Sequence, residues 1–189
     1  PETVVTGFDR PNLRFEVLRP KDKRTALLQL LSERRDKSGI VYCATRKTVE
    51  QVCGLLQEAG FAATRYHAGL DADERKENQE AFICDRSPVM AATNAFGMGI
   101  DKSNVSYVIH YNMPMSIEAY YQEAGRAGRD GRRSYAVLLI SSDDAGRIAK
   151  RFEADYPPLE KIRSIYEKIC SYLQIAIGDG AQSLSLIHI

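Results

Sequence analysis

The chain has 189 residues, of which 44% are hydrophobic and 27% are charged, a composition typical of globular domains. It argues against intrinsic disorder and against a collagen-like repeat. Lys and Arg number 26 against 25 Asp and Glu, so the formal net charge of +1 identifies neither a nucleic-acid partner nor an acidic substrate. Any charged partner must therefore be inferred from local clusters.

The cysteines and the apolar stretches exclude further classes of protein. Cys43, Cys53, Cys84 and Cys170 are scattered, with no CxxC pair and no histidine at ligand spacing, which disfavours a zinc site and a disulfide scaffold. The sequence has no run of about 18 apolar residues, and residues 1–3 do not begin a signal peptide. We therefore expect no contact with a membrane and a location in the reducing cytoplasm.

Apolar runs alternate with amphipathic stretches as far as Ile140, the pattern of strands joined by crossover helices in a mostly parallel sheet. The sequence predicts six strands, at residues 13–18, 40–43, 61–66, 88–92, 107–111 and 135–140. It predicts four helices between them, at residues 23–34, 47–59, 71–83 and from 116 onward. Residues 1–141 are therefore expected to form a doubly wound α/β domain.

Beyond Ile140 the pattern is helical only. Helices are predicted at residues 143–153 and 159–175, so residues 142–183 are expected to form a helical segment. Residues 184–189 continue no pattern and can be encoded by a transposase adapter used in sequencing libraries. We expect them to be a non-native tail, and we expect Pro1, which is not an initiating Met, to be an internal position of a longer protein.

Two Gly-rich segments carry residues suited to phosphate recognition. Residues 125–131 contain two arginines three positions apart, whose planar guanidinium groups suit phosphate oxygens; the alternative is a Gly-rich turn with solvated arginines. Residues 92–101 follow a predicted strand, where the loops of an open parallel sheet form the ligand crevice. The motif GxxxxGK followed by Ser or Thr is absent from the sequence, so the chain carries no P-loop of its own.

Together these segments resemble the second RecA-like domain of a superfamily 2 helicase of the RecQ type. The resemblance covers five segments in the family's order, at residues 8–13, 40–46 (motif IV), 66–70 (motif IVa), 92–101 (motif V) and 120–129 (motif VI). Tyr121-Gln122-Glu123 and Phe96-Gly97-Met98-Gly99 favour RecQ over DEAD-box RNA helicases, whose motif VI usually begins with His-Arg. The implied fold is a RecA-like, P-loop NTPase-type parallel sheet flanked by helices and followed by a small helical appendage.

The resemblance also implies an ATP site shared between two RecA-like domains. Arg126 and Arg129 are expected to close on the γ-phosphate as arginine fingers, and the sequence does not rank them. Gln122 and Gly99 are expected to take part in ATP binding, with Gln122 positioning phosphates or bridging the cleft. Asp101 is expected to bond the ribose or to hold the arginines as a salt-bridge partner. ATP and Mg²⁺ would be held mainly by the first domain, which carries the P-loop and the DExH carboxylates.

The same resemblance implies a grip on single-stranded DNA. Four residues match positions that bind backbone phosphates through hydroxyls, a guanidinium and main-chain N–H groups, namely Thr45, Arg46, Gly69 and Thr93. His67 either joins this grip or has a structural role. The implied partners are single-stranded or partly duplex DNA and the N-terminal RecA-like domain of the same chain.

The resulting prediction is the second motor domain of an ATP-dependent 3′–5′ DNA helicase, inactive as an isolated fragment and nucleoid-associated if bacterial. The alternatives are a non-catalytic RecA-like scaffold that binds nucleic acid and an RNA helicase domain. One feature departs from typical RecQ proteins, which follow this domain with a four-cysteine zinc module. Here Cys170 is the only cysteine after residue 141, so the tail resembles that of a shorter, zinc-free branch.

Overall fold

The computed structural model describes residues 10–97 and 102–173. The chain divides into two compact units, Pro1–Asp144 and Ala145–Ile189. The first unit contains six strands, β1 (Leu13–Leu18), β2 (Ser38–Tyr42), β3 (Ala63–Tyr66), β4 (Val89–Ala92), β5 (Val105–His110) and β6 (Ser134–Leu139). It also contains four helices, α1 (Lys23–Ser32), α2 (Arg46–Glu58), α3 (Ala72–Ile83) and α4 (Ile117–Ala124). The ends of all six strands and of α1, α2 and α3 lie within two residues of the predicted positions; for α4 the sequence predicted only the start.

The six strands form one parallel sheet in the order β1-β6-β5-β2-β4-β3. Helices α1 and α2 pack on one face, whereas α3 and α4 pack on the other. The predicted RecA-like α/β fold class is confirmed. The carboxyl ends of β2 and β5 lie side by side, and the connections that leave them run to opposite faces, which is where open α/β sheets bind ligands.

The centre of the sheet is buried on both faces. Every residue of β2 and β4 is buried, as expected for parallel strands covered by helices on each side. Ile40 packs on the face of α3 and α4, and Val41 packs on the face of α1 and α2. Gly39 leaves room for the ring of Tyr107 on the neighbouring strand, because a Cβ at position 39 would overlap that ring. This core fixes the strand ends that carry the candidate site.

Four helices begin at the carboxyl edge of the sheet, each with a side-chain cap. The capping oxygens accept hydrogen bonds from main-chain N–H groups in the first turn and belong to Asp22, Thr45, Asp71 and Ser116. These caps follow β1, β2, β3 and β5, so the helix N-termini gather at one edge. Helix N-termini are favourable surroundings for anions.

The connection from β4 to β5 has no helix among its described residues, although it must return from the carboxyl edge to the amino edge of the sheet. Phe96 holds this connection against the face of α3 and α4. Its ring lies 5.0 Å from that of Tyr66 and 5.7 Å from that of Phe82. Phe96 therefore lies in the same apolar cluster as Ala124, the last residue of α4.

The second unit consists of helices over its described residues. Helix α5 (Asp144–Asp155) begins at the boundary between the units, and α6 (Leu159–Leu173) follows Pro157 and Pro158. The rest of the predicted helical segment and the expected tail, residues 174–189, lie outside the described residues. None of the described helices combines the length and apolarity that a membrane crossing requires.

Candidate functional site

Arg126 lies just beyond α4 and is tied to the β4–β5 connection. Its Nη1 donates a hydrogen bond of 2.5 Å to the main-chain carbonyl of Gly97, and the side chain is partly buried. Gly97 has a φ of 127°, and a Cβ there would overlap the guanidinium group. The arginine therefore occupies space that exists only because position 97 has no side chain.

Tyr42 binds the carbonyl that precedes Gly97. Its hydroxyl donates a hydrogen bond of 3.1 Å to the main-chain oxygen of Phe96. Burial raises the pKa of Tyr42, and the Arg126 guanidinium beside the hydroxyl offsets part of that increase. Two consecutive carbonyls of the β4–β5 connection are thus held by a side chain from β2 and a side chain that follows α4.

Arg129 has different surroundings, because it is exposed. The turn that carries it is fixed by Gly128, which has a φ of 70° and donates its N–H to Val105 O at 2.8 Å. Asn12 Nδ2 and Arg10 Nη2 donate hydrogen bonds of 2.8 and 2.9 Å to the carbonyl of Gly128. The exposed arginine therefore extends from a turn anchored to β5 and to the residues that lead into β1.

Gln122, Gly99 and Asp101 are the other residues expected at the ATP site. Gln122 is exposed on α4 and lines a shallow groove whose other residues are Ile117, Glu118, Ala119, Tyr121 and Gly125. Gly99 and Asp101 lie outside the described residues. Of the side chains expected around the nucleotide, Gln122 therefore lies on α4, and Arg126 and Arg129 lie in the turn after this helix.

The four residues expected to bind DNA lie at the carboxyl ends of neighbouring strands. Thr45 and Arg46 follow β2, Gly69 follows β3, and Thr93 follows β4. The Arg46 side chain passes over Gly69, with Cδ and Nη1 3.1 and 3.2 Å from the point where a Cβ at position 69 would stand. The fold therefore brings these four residues to one edge of the sheet.

Two of the expected main-chain donors are already used within the protein. The N–H of Gly69 donates to His67 Nδ1 at 3.1 Å, and the N–H of Thr93 donates to the carbonyl of Tyr66 at 3.1 Å. The Thr45 hydroxyl caps α2 by accepting from Thr48 N–H. Because these groups are already bonded within the protein, the Arg46 guanidinium and the Thr93 hydroxyl are the side-chain groups that best fit a backbone phosphate of DNA.

His67 organises the loop that contains Gly69. Because the Gly69 N–H can only donate, Nδ1 must be the accepting nitrogen, and the ring proton must reside on Nε2. Nε2 in turn lies 2.7 Å from Glu50 Oε1, which also lies 3.0 Å from Arg65 Nε. Both ring nitrogens of this buried histidine are bonded inside the protein, which favours a structural role over direct contact with DNA.

The sequence interpretation missed a second buried histidine, His110. Its Nε2 lies 2.8 Å from Glu123 Oε2, and both residues are buried. His110 is the only ionisable imidazole in a mostly apolar strand, and Glu123 lies in motif VI. Ionisable residues in such positions are the available sequence clue. Within residues 10–97 and 102–173, no three His, Cys, Asp or Glu side chains are grouped so that they hold a metal ion.

Comparison with known proteins identifies the family. Residues 22–131, more than half of the chain, match the helicase conserved C-terminal domain. The chain belongs to this family. The chain is 50% identical over 142 residues to the ATP-dependent DNA helicase RecQ of Bacillus subtilis, a match that covers 75% of this chain and 24% of the relative. It is 40% identical over 183 residues to the RecQ of Pasteurella multocida, covering 97% and 28%.

These matches make it a RecQ-type helicase C-terminal domain. The RecQ-type domain spans about a quarter of the length of these curated relatives. Among solved structures it is similar to Saccharomyces cerevisiae Dbp5 bound to RNA and ADP BeF3, with a TM-score of 0.61, 25% identity and coverage of 83% of this chain and 44% of Dbp5. A DEAD box protein from Methanococcus jannaschii has a TM-score of 0.64 and 24% identity, covering 77% and 40%. Both similarities agree with the RecA-like sheet.

Proposed function

We propose that this domain is the second motor domain of an ATP-dependent DNA helicase and that its motif VI arginines complete the ATP site. The observation that carries the proposal is the anchored turn that presents Arg129 three residues after Arg126, the arginine bonded to Gly97. Two relatives with 50% and 40% identity are named ATP-dependent DNA helicases, which supports the same reaction in the protein that contains this domain.

The two arginines have different tasks in this proposal. A preorganised guanidinium stabilises the charge that develops on a transferring phosphoryl group, and known arginine fingers contribute about 10³ to 10⁵ in rate. Arg129 is exposed and reaches the γ-phosphate. Arg126 is partly buried, has one nitrogen engaged by Gly97, and supports the adjoining segment of the site. Gln122, Gly99 and Asp101 complete the site, and ATP and Mg²⁺ are held mainly by the first domain.

The exposed face of α4 is suited to contact with that first RecA-like domain. Ile117 is 77% exposed and lies one turn before Tyr121, another exposed apolar side chain, with Gln122 beside it. Apolar side chains around a few polar groups are typical of the centre of an interface. The N-terminal RecA-like domain of the same protein is therefore the proposed partner, and the isolated domain lacks ATPase activity because half of the site is absent.

The carboxyl edge of the sheet is the proposed DNA grip. Thr45, Arg46, Gly69 and Thr93 line the path of the sugar-phosphate backbone there. The Arg46 guanidinium and the Thr93 hydroxyl donate the hydrogen bonds, which fix the strand without reading its sequence. Closure of the cleft around ATP moves this grip relative to that of the first domain, and hydrolysis reopens the cleft, so that each cycle gives one step. The 3′–5′ direction of movement is carried over from the RecQ resemblance. The absence of a zinc module from the tail is also carried over from a resemblance, and metal analysis of the purified protein tests it.

The decisive experiment measures ATP hydrolysis by the complete protein, with and without single-stranded DNA, for the native sequence, Arg129→Ala and Arg126→Ala. Both variants are expected to lose hydrolysis while they retain binding of a fluorescent ATP analogue. Arg132→Ala is the matched control, because Arg132 follows in the same loop and its side chain is 85% exposed. Unchanged rates in both variants would remove the arginine assignment.

The same assay separates the alternatives. A non-catalytic scaffold binds nucleic acid but hydrolyses no ATP even as the complete protein. An RNA helicase is stimulated by single-stranded RNA and not by DNA of the same sequence. Stimulation by DNA, lost in Arg129→Ala and kept in Arg132→Ala, is the expected result.

A further inference from the structure

Helix α4 buries a carboxylate against the sheet. Glu123 is 9% exposed although its neighbours Tyr121 and Gln122 face solvent. A carboxyl group removed from water is destabilising unless it is hydrogen-bonded, and the bond of 2.8 Å to His110 Nε2 satisfies it. This bond joins motif VI to the last residue of β5, near the centre of the sheet.

The His110 ring is enclosed between two tyrosines. It is 1% exposed, stacks on Tyr42 with ring centres 5.5 Å apart, and lies 4.8 Å from the ring of Tyr120. Within the part of the chain that the structure describes, Nδ1 has no hydrogen-bond partner. The bond to Glu123 is therefore the polar contact that fixes the orientation of this ring.

The stacked tyrosine leads directly to the arginine of the candidate site. Tyr42 donates to the carbonyl of Phe96, and Arg126, three residues after Glu123, donates to the next carbonyl, that of Gly97. Glu123 and Arg126 thus lie about one helical turn apart; Glu123 is bonded to strand β5, and Arg126 is bonded to the β4–β5 connection. A rotation of α4 that broke the first bond would displace the second.

We propose that Glu123 and His110 are positioning residues for ATP hydrolysis. Their hydrogen bond sets the rotation of α4 about its axis, and this rotation aligns Arg126 with Gly97 and Tyr42. Replacing a buried polar pair with apolar residues of similar volume often leaves a protein equally stable. Apolar contacts are less directional than a hydrogen bond, however, and would not set the rotation of α4. The inference rests on the proposed function, since the pair serves the arginine chemistry proposed there.

The test compares variants that remove the hydrogen bond between Glu123 and His110 with one that partly restores it. In the complete protein, Glu123→Leu removes the bond, whereas Glu123→Gln keeps an oxygen that accepts from Nε2. We expect the kcat of DNA-stimulated ATP hydrolysis to fall on the order of 10²-fold in Glu123→Leu, as for a small displacement of a catalytic group, and to recover in part in Glu123→Gln. The Kd for ATP is expected to remain unchanged. His110→Phe, which keeps a stacked ring, should behave like Glu123→Leu, and the double variant should be no worse than either.

A purely structural role predicts a different pattern. Glu80→Leu on α3 is the control, because Glu80 is an exposed carboxylate on another helix of the same face. NMR of the 189-residue chain supplies a second readout: the signals of Gly97 and of the Arg126 side chain are expected to move in Glu123→Leu and to stay in Glu80→Leu. An unchanged kcat in Glu123→Leu would overturn the proposal. So would a lower kcat that the unfolded fraction of the variant accounts for, if the Arg126 signals have not moved.

The two proposals fail in distinguishable ways. If the complete native protein hydrolyses no ATP with DNA or RNA, the proposed function is wrong. The NMR comparison then still decides whether the pair orients Arg126, because it requires neither nucleotide nor a first domain.

Discussion

The guanidinium of Arg126 lies where the side chain of residue 97 would otherwise be, and it donates its Nη1 proton to the carbonyl of that same glycine, Gly97. The bond in this geometry depends on the missing Cβ. A Cβ at position 97 would overlap Arg126 Cζ, so the guanidinium could not keep this position over any other residue. Motif V and motif VI are therefore joined through backbone geometry as well as through side-chain chemistry.

Gly97→Ala is expected to reproduce the functional loss of Arg126→Ala. The added Cβ displaces the guanidinium, and the positive φ adds strain of roughly 1–3 kcal/mol. The measurement is DNA-stimulated ATP hydrolysis by the complete protein, in which the double variant should be no slower than either single variant. Gly131→Ala is the control, since it has a φ of 77° and nothing within 4 Å of its would-be Cβ. A fast Gly97→Ala enzyme, or a Gly131→Ala enzyme that is equally slow, would refute the argument.

Gly39→Ala tests the packing of the central strands. The new methyl group overlaps the buried ring of Tyr107, and overpacking of this kind costs about 1–3 kcal/mol or more. Gly54→Ala makes the same chemical change within α2 with nothing within 4 Å, and it is expected to stabilise the chain by about 0.5–1 kcal/mol. Urea unfolding of the 189-residue chain measures both. Equal stability of the two variants would contradict the proposed fit between Gly39 and Tyr107.

The sequence predicted the fold because the relevant patterns are local. Apolar runs such as that of β2, and caps such as Ser116, mark elements within a few residues. The six strands and their positions along the chain followed from these patterns, and the fold class was confirmed.

The candidate site was less accessible to the same reasoning. The different surroundings of Arg126 and Arg129 depend on Gly97, which is distant in the chain. The bond of His110 to Glu123 joins a strand to a helix, and no periodicity reports such a pairing. The use of the Gly69 N–H by His67 is a matter of loop geometry, so the sequence identified a grip residue without showing that its main-chain donor is occupied.

Asp85 gives the domain a predictable response to acid. Lys102 Nζ, on a side chain that is 3% exposed, lies 2.7 Å from Asp85 Oδ1. Hydrogen bonds from Lys102 and then Ser38 hold the pKa of Asp85 below its usual value. A lowered pKa in the folded state contributes stability above the unfolded pKa of about 3.9, and this contribution is lost as the pH falls through the folded value.

Because the Asp85 side chain is 51% exposed, solvent screens its charge. Asp85→Asn is therefore expected to lower the free energy of unfolding by only about 1 kcal/mol at neutral pH, and by progressively less below a pH of about 4. Asparagine tolerates the φ of 57° at this position, so the variant tests charge without adding strain. Thermal or urea unfolding at several pH values measures the difference. Asp73→Asn, an exposed change on α3, is the control, and a pH-independent difference for Asp85→Asn would contradict the assignment.

His67 variants separate the two bonds of its ring. Asparagine places an accepting oxygen near the position of Nδ1, whereas glutamine places a donating nitrogen near that of Nε2. His67→Asn is expected to preserve the Gly69 loop and single-stranded DNA affinity, and His67→Leu to lose about tenfold, equivalent to one hydrogen bond of about 1.4 kcal/mol. His67→Gln, which keeps only the bond to Glu50, should resemble His67→Leu. Fluorescence anisotropy with a labelled oligonucleotide measures the affinities, and native-like binding by His67→Leu would show that the loop is not needed.

The β4–β5 connection is attached at both of its ends, through the Thr93 N–H to Tyr66 O and through the Lys102 side chain to Asp85. A residue inserted between Thr93 and Gly97 would displace Phe96 and Gly97 and so break the bonds that Tyr42 and Arg126 donate to their carbonyls. The turns at Gly60 and Gly131 have no such neighbours, because nothing lies within 4 Å of a Cβ at either position. Natural variation in length, and inserted labels or reporter tags, should therefore be tolerated at those two turns, whereas residues 93–97 must keep their number.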